Sequence, residues 1–199
     1  AITSEALSNH DIESFTIIGT GLQARYQAIY VSELMNIKKV RVWGRDSAKT
    51  DQVKKDLSRL DVNAEEDIEK LVKESRLIIT TTSSKEPLIQ SDWLKPGTHL
   101  TAVGSDTPEK CELDPRILSM ADLIVADSLE QNLVRGEIHQ AVKRSLINPE
   151  KIVELGDIFS GLKPGRIDED SITVADLTGV AVQDLVIARS VLQAYKSSK

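Results

Sequence analysis

The sequence FTIIGTGLQARYQ at residues 15–27 decides the fold. Four apolar or β-branched residues run directly into Gly19, Gly21 and Ala24, and a segment with helical spacing of apolar residues follows, which predicts a strand, a tight turn and a helix. Gly19 allows the sharp turn, Gly21 lets backbone amides approach a pyrophosphate, and Ala24 lets the helix pack closely on the strand. A phosphate would lie at the helix N-terminus, where unpaired N–H groups and the helix dipole favour an anion.

The glycine spacing alone is a weak signal, because a βα turn can need its glycines only for backbone geometry. Here a strand signal precedes the glycines and a helix signal follows them, so we favour dinucleotide binding over a plain turn. Thr20 lies between the two glycines and belongs to the same predicted cofactor loop.

Size and composition point to an ordinary globular protein. The 199 residues suffice for one sizeable core, or for one domain and part of a second. The net charge of −6 argues against a nucleic-acid partner, and basic residues are interspersed with acids. No segment approaches the length of a membrane span, and the first residues resemble no signal peptide, so we expect a cytoplasmic protein without membrane contact.

The cysteine and histidine content predicts neither a disulfide nor a metal site. Cys111 is the single cysteine, and the three histidines lie far apart without partners at ligand spacing. We expect Cys111 to be a partly buried small side chain rather than a nucleophile, since no neighbouring base is evident.

The turn after the second predicted strand bears on cofactor preference. The segment KVRVW at residues 39–43 alternates as a half-buried strand and runs into Gly44, Arg45 and Asp46. An NAD-binding fold usually places a ribose-binding acid here, whereas an arginine can hold a 2′-phosphate with two parallel hydrogen bonds. We therefore favour NADP(H). NAD(H) stays open, because Asp46 could be a displaced ribose acid, and Asp46 or Ser47 could equally be only a helix N-cap.

Two further strands are predicted to end in polar residues at the same sheet edge. The apolar stretch from residue 77 ends in Thr81, Thr82 and Ser83, and the stretch 99–103 runs into Gly104, Ser105 and Asp106. Ligands of an open parallel sheet lie beyond the carboxyl ends of its strands. The hydroxyls could contact a cofactor or only satisfy loop backbone. Asp106 could face a nicotinamide, although an aspartate in such a turn is more often an Asx-turn or helix cap.

The remaining pattern extends the alternation of strands and helices. We predict short strands at residues 62–64, 123–126 and 171–175, helices at 1–9, 68–74, 136–144 and 179–195, and surface connections at 154–158 and 162–166.

The chain resembles the ornithine cyclodeaminase / mu-crystallin family. The resemblance rests on IIGTGLQARYQ, VRVWGRD, SKEPLIQSDWLKPGTHLTAVGSDTPEKCEL, ELGDIFSGLKPGR and ITVADLTGVAVQDLVIA, which occur in the family's order. It implies an α/β fold with a Rossmann-type, doubly wound, mostly parallel sheet and helices on both faces. It also implies a second domain that binds substrate and forms a homodimer, and that is largely missing from this chain. On this basis residues 1–13 would end a linker helix, 14–175 would form the dinucleotide domain, and 176–199 would form a helix returning towards the substrate domain.

The resemblance also assigns roles to individual residues. Gly21, Leu22 and Gln23 match the pyrophosphate turn, and Gly44, Arg45 and Asp46 match the adenosine-ribose position. The other matching positions are the strand-end contacts Thr81, Thr82 and Ser83, the nicotinamide neighbours Val103, Ser105 and Leu177, and the cyclodeaminases' catalytic aspartate at Asp106.

The implied chemistry acts on an amino-acid or imine substrate. A hydride passes from the amino-acid Cα to oxidised nicotinamide, an amine or water attacks the resulting iminium, ammonia leaves, and in a cyclodeaminase the same hydride returns. Asp106 would be the general base, in a partly dry environment. Asp106 points to the cyclodeaminase and amino-acid dehydrogenase branch, whereas Arg45 points to the ketimine-reductase branch. The other alternative is a non-catalytic, crystallin-like NADP(H)-binding protein.

Overall fold

The computed structural model describes residues 1–197. The strands are β1 (Ser14–Ile18), β2 (Lys39–Trp43), β3 (Asp61–Ala64), β4 (Leu77–Thr80), β5 (His99–Ala102), β6 (Leu123–Ala126), β7 (Ile152–Glu154) and β8 (Thr173–Asp176). The helices are α1 (Ile2–Leu7), α2 (Leu22–Met35), α3 (Ser47–Asp56), α4 (Ile68–Lys73), α5 (Arg116–Met120), α6 (Leu129–Asn132), α7 (Gly136–Lys143), α8 (Leu155–Phe159) and α9 (Ala181–Ser197), with 3₁₀ turns at Ser91–Trp93 and Pro149–Lys151.

The eight strands form one sheet in the order β3-β2-β1-β4-β5-β8-β6-β7. All of their pairings are parallel. The order reverses at β1: Ile18 lies opposite Trp43 of β2 on one side and opposite Thr80 of β4 on the other. The carboxyl ends of these three strands therefore align at the switch point, and the predicted Rossmann-type α/β fold is confirmed.

Two apolar clusters cover the two faces of the sheet. Successive residues of a strand point to opposite faces. Ile17 accordingly belongs to one cluster with Ala24 and Ala28 of α2, and Ile18 belongs to the other with Leu118 of α5. All four residues of β4 are buried, as expected for a central parallel strand with helices on both faces.

Helix α1 is held to the sheet by hydrogen bonds that involve β5 and β8. Ser4 Oγ lies 3.2 Å from Thr101 Oγ1, and the Leu7 carbonyl accepts hydrogen bonds from Arg166 Nε at 2.8 Å and Thr173 Oγ1 at 2.9 Å. Leu7 is fully buried, whereas Ile2 is 57% exposed. The predicted helix is thus present, but its buried face is in part polar.

The segment predicted as a surface connection near residue 154 contains two regular elements. Strand β7 pairs with β6 at the sheet edge, and α8 follows it directly. A three-residue edge strand shows too few positions for a period-two pattern, so the sequence offered no strand signal there. Strand β8 also ends one residue later than predicted, at Asp176.

Helix α9 follows β8 and has no buried side chain. The predicted apolar periodicity is present, yet the large apolar residues of this helix are exposed: Val182, Leu185, Val186, Ile187, Val191, Leu192 and Tyr195. Within residues 1–197, no helix combines the length and the apolar character needed to cross a bilayer.

Candidate functional site

A cleft of about 650 Å³ opens at the carboxyl edge of the sheet, over the switch point. Its walls come from the turns after β1, β2, β4 and β5. The lining residues are Gly19, Thr20, Gly21, Gln23, Trp43, Gly44, Arg45, Asp46, Lys49, Thr81, Thr82, Ser83, Ser84, Leu88, Val103, Gly104, Asp106 and Lys110. Of the sequence-predicted site residues, only Leu22, Ser105 and Leu177 lie outside this lining.

The glycine loop has the geometry that the sequence predicted. Gly19 has a φ of +132°, and a Cβ there would overlap Thr81 Oγ1 and lie 3.1 Å from the Thr81 carbonyl oxygen. Gly21 caps α2 without a side-chain hydrogen bond, and a Cβ there would meet nothing within 4 Å. The first amides of α2 are therefore left without a side-chain cap, as an anion site at a helix N-terminus requires. The Leu22 side chain is 65% exposed outside the cleft.

Arg25, which was not among the predicted site residues, hydrogen-bonds the carbonyl groups of the glycine loop. Its Nη1 donates to the carbonyl oxygens of Thr20 at 2.7 Å and Gly21 at 3.0 Å, while Nη2 lies 2.6 Å from Asp56 Oδ2. The guanidinium thus satisfies carbonyls that would otherwise repel a phosphate, and it fixes the loop to α3. The signal was an arginine one helical turn after Gly21, which is the spacing at which side chains reach back to the helix start.

The turn after β2 brings basic side chains to the cleft. Gly44 packs so closely on Thr20 that a Cβ would overlap the Thr20 methyl group. Asp46 is the N-cap of α3, and its Oδ1 accepts from Ala48 N at 3.0 Å and Lys49 N at 3.3 Å. Its carboxylate is therefore engaged in capping, whereas Arg45 and Lys49 are exposed at the cleft.

The hydroxyls after β4 also serve the loop itself. Thr81 Oγ1 donates to the Ile18 carbonyl at 3.3 Å, which spans β4 and β1. Thr82 Oγ1 accepts from Ser84 N at 3.2 Å, and the Thr82 side chain also hydrogen-bonds the buried Glu112 carboxylate. The hydroxyls of Thr81 and Thr82 therefore support the loop.

Asp106 lies at the mouth of the cleft and not in a dry environment. Its side chain is 54% exposed and forms an ion pair with Lys110 Nζ. The residues of this chain alone therefore do not provide the partly dry setting expected for a general base. The carboxylate pairs with a lysine side chain, which differs from the Asx-turn or helix cap that the sequence left open.

Ser105 points away from the cleft, into the protein. It is buried, and its Oγ donates to Glu137 Oε1. The Ser105 side chain therefore does not face the cleft, where the resemblance to the family had placed this residue beside the nicotinamide. Leu177 follows β8, where its N–H donates to the Ala102 carbonyl at 2.9 Å.

Three buried carboxyl groups lie beneath the cleft, and sequence reasoning missed them. Burial raises the pKa of Glu112, despite donors from Thr80, Thr82 and Gly104. Burial, and next the charge of Asp176, raise the pKa of Glu137 to about 8. Burial raises the pKa of Asp176 to about 7. For Glu112 the sequence offers only the two acids Glu112 and Asp114 before Pro115, a pattern typical of an ordinary helix start.

Cys111 is a buried thiol. Burial, followed by the charge of Glu137, raises its pKa to about 12, and its Sγ lies 3.2 Å from the Leu113 carbonyl oxygen. The thiol is therefore protonated at neutral pH, as befits a structural side chain. Across residues 1–197, no group of three or more His, Cys, Asp or Glu side chains is arranged to hold a metal ion.

The switch point, the glycine loop and the cleft above them define a Rossmann-type α/β protein. The model of the ornithine cyclodeaminase/mu-crystallin family matches residues 1–199, and the chain belongs to that family. The resemblance in the sequence motifs is thereby confirmed.

Similar proteins span several activities within the family. The chain is 38% identical over 197 residues to a protein of Sinorhizobium fredii named as the uncharacterized cyclodeaminase y4tK, covering 97% of this chain and 60% of that one. The solved archaeal alanine dehydrogenase dimer with bound NAD superposes with a TM-score of 0.93 and 31% identity, covering 99% of this chain and 62% of that one. The solved iminosuccinate reductase of Paracoccus denitrificans in complex with NAD⁺ superposes with a TM-score of 0.90 and 30% identity, covering 99% of this chain and 61% of that one. The chain thus spans about three fifths of the length of these relatives.

Proposed function

We propose that this chain is the cofactor-binding part of an NAD(P)-dependent enzyme of amino-acid or imine metabolism. The favoured activity is ornithine-cyclodeaminase-like, with hydride transfer at an amino-acid Cα and release of ammonia. The observation that carries the proposal is the convergence of the glycine loop, a basic turn and Asp106 on one cleft. Family membership supports it, since relatives bear the names of a cyclodeaminase, a dehydrogenase and a reductase.

The cleft fits a nicotinamide dinucleotide. Gly19, Gly21 and the first amides of α2 suit the pyrophosphate, because they present N–H groups without a covering side chain. Arg45 and Lys49 suit a 2′-phosphate, and the capping role of Asp46 weakens its candidacy as a ribose ligand. We therefore favour NADP(H). NAD(H) is the alternative, since the two solved relatives described above hold NAD.

The chemistry divides between the cofactor and this chain. The bound nicotinamide would take up the hydride and, in a cyclodeaminase, return it. Asp106 would accept a proton from the nucleophile that attacks the substrate iminium carbon and would pass it to the departing amino group, which leaves as ammonia with the bonding electrons of the C–N bond. Lys110 holds the Asp106 carboxylate at the cleft mouth. A substrate domain that closes over this mouth would exclude water and strengthen these interactions.

Two assays on the full-length protein test the proposal. Fluorescence titration with NADPH and NADH tests the cofactor site, and ammonia release from ornithine and other amino acids with oxidised cofactor tests turnover. We expect binding of NADPH and ammonia release. Ammonia release accompanied by net accumulation of reduced cofactor would favour the alanine-dehydrogenase alternative, because a cyclodeaminase returns the hydride. Oxidation of NADPH by an imine without ammonia release would favour the ketimine-reductase alternative. Binding with no turnover at all would favour the non-catalytic, crystallin-like alternative, and absence of binding would refute the proposal.

We further propose the domain arrangement expected from the family. Residues 1–13 would end a linker helix, residues 14–175 would form the dinucleotide domain, and α9 would return towards a substrate domain. The exposed apolar side chains of α9 support this assignment, because such a face normally has a partner. The full-length protein would be a cytoplasmic homodimer. Light scattering after size-exclusion chromatography tests the dimer, and a monomeric full-length protein would refute it.

A further inference from the structure

We propose that Glu112 is a positioning residue that ties the ends of β4 and β5 together and so places the loop that carries Asp106. The proposal rests on the proposed function, in which this loop faces the nicotinamide and the substrate. Glu112 does not line the cleft; it acts through the backbone of Thr82 and Gly104, which do.

The hydrogen bonds of Glu112 join two strand ends. Its Oε2 accepts from Thr80 Oγ1 at 2.7 Å and from Gly104 N at 2.9 Å, and its Oε1 accepts from Thr82 N. Thr80 and Thr82 belong to the end of β4, whereas Gly104 follows β5. The side chain is fully buried, so water cannot replace these bonds. The carboxylate therefore joins the two turns beyond the last backbone hydrogen bond between the strands, in which Val103 N donates to the Thr80 carbonyl at 2.9 Å.

The junction has no spare room. A Cβ on Gly104 would overlap the Thr82 carbonyl oxygen and lie 2.6 Å from Glu112 Cδ. The two turns are thus in direct contact through the glycine. Loss of the Glu112 hydrogen bonds should therefore shift the backbone next to Asp106. No side-chain rotation can compensate, because Gly104 has no side chain and its contact on Thr82 is a backbone carbonyl.

Glu137 of α7 binds the backbone of Glu112 and of its neighbours. Its Oε1 accepts from Glu112 N at 2.7 Å and from Ser105 Oγ, and its Oε2 accepts from Leu113 N at 3.2 Å. Ser105 directly precedes Asp106, and Glu112 follows it by six residues. The carboxyl groups of Glu112 and Glu137 therefore hold the two ends of the loop that carries Asp106.

The partners of Glu112 dictate the expected effect of its replacement. They are two backbone N–H groups and the side chains of Thr80 and Thr82, so the site needs two acceptor oxygens. Glu112→Gln turns one oxygen into an NH₂ donor that faces a donor, and the turns must separate. Because a displacement of about 1 Å can cost about 10²-fold in rate, we expect kcat to fall by about 10–100-fold.

Three variants of the full-length protein test the role. Thr80→Val keeps the shape but removes the hydroxyl, and should lower kcat by about 3–10-fold; Thr80→Ser keeps the hydroxyl and should restore it. Glu154→Gln is the control, because Glu154 Oε1 also accepts a backbone N–H, from Leu129 at 2.8 Å, at an exposed position that does not line the cleft. It should leave kcat unchanged. Wild-type kcat in folded Glu112→Gln and Thr80→Val would overturn the proposal, as would equal loss in the serine and valine variants.

A measurement without turnover separates this proposal from the proposed function. Hydrogen exchange of the Thr82 and Gly104 amides, followed by mass spectrometry or NMR, should accelerate at least 10-fold in Thr80→Val and stay at the wild-type rate in Glu154→Gln. If the wild-type protein shows no turnover on any substrate, the proposed function fails, and accelerated exchange still supports the tie between the strands. Unchanged exchange in Thr80→Val overturns the tie, whether or not Glu112→Gln folds.

Discussion

Replacing Gly19 by alanine should damage both stability and cofactor binding, because its backbone conformation and its surroundings exclude a side chain. The φ of +132° is a region that residues with a Cβ rarely adopt, which costs about 1–3 kcal/mol. The added Cβ would also overlap Thr81 Oγ1 and lie 3.1 Å from the Thr81 carbonyl, a backbone atom that cannot rotate away. Overpacking of this kind costs about 1–3 kcal/mol.

Backbone strain and overpacking together should lower the free energy of unfolding of Gly19→Ala by about 3 kcal/mol. For a protein of this size each kcal/mol lowers Tm by about 2–4 °C, so we expect a drop of about 6 °C or more. The shifted loop should also lose about one charge-assisted hydrogen bond to the diphosphate, worth about 1.5–3 kcal/mol, which corresponds to a Kd raised by about 10–100-fold. Thermal denaturation and NADPH titration measure the two effects.

Gly21→Ala is the matched control, since Gly21 has no positive φ and its added Cβ would meet nothing within 4 Å. It should leave Tm within about 1 °C, as for a surface substitution. Its methyl group would still stand where the diphosphate must approach, so NADPH binding should weaken by about tenfold. Unchanged Tm in Gly19→Ala, or an equal loss of stability in Gly21→Ala, would refute the reasoning.

Three other variants test the charges around the cleft. Arg45→Ala should weaken NADPH binding at least 10-fold more than NADH binding in fluorescence titrations, because only NADPH carries the 2′-phosphate; equal effects would contradict that contact. Asp106→Asn should keep the cofactor Kd within about 2-fold but lower kcat by at least about 100-fold in an ammonia-release assay, and unchanged turnover would remove its role as base. Burial and Asp176 raise the pKa of Glu137 to about 8, so the folded state binds more protons than the unfolded state, and stability should fall as pH rises from about 4.5 to about 8. Glu137→Gln should shrink this fall in denaturant-unfolding measurements at pH 5 and pH 8, and an unaltered pH dependence would contradict the assignment.

Much of the cleft was predictable from local sequence, because short-range patterns encode it. The strand, the two glycines and the following helix lie within one contiguous stretch, and Gly19 and Gly21 line the cleft as predicted. The polar ends of β4 and β5 were also predictable, since parallel strands bring their carboxyl ends to one edge.

Other parts of the site depend on contacts between distant segments. The choice between ribose ligand and helix cap for Asp46 depends on where its carboxylate points, and it points at the amides of α3. The inward turn of Ser105 depends on Glu137, which is 32 residues away in the chain. No local pattern encodes such a partner, because the acid looks like any other charged residue at a helix start.

The sequence by itself determined most of the alternation of strands and helices and the position of the glycine loop, because periodicity and glycine spacing are properties of neighbouring residues. Its longer motifs indicated the family. Only the tertiary structure decided which carboxyl groups are buried and which are exposed. It buries Glu112 and Glu137 beneath the cleft and leaves Asp106 at its mouth beside Lys110. The physical reason is that burial and hydrogen-bond partners arise from packing between segments far apart in the chain.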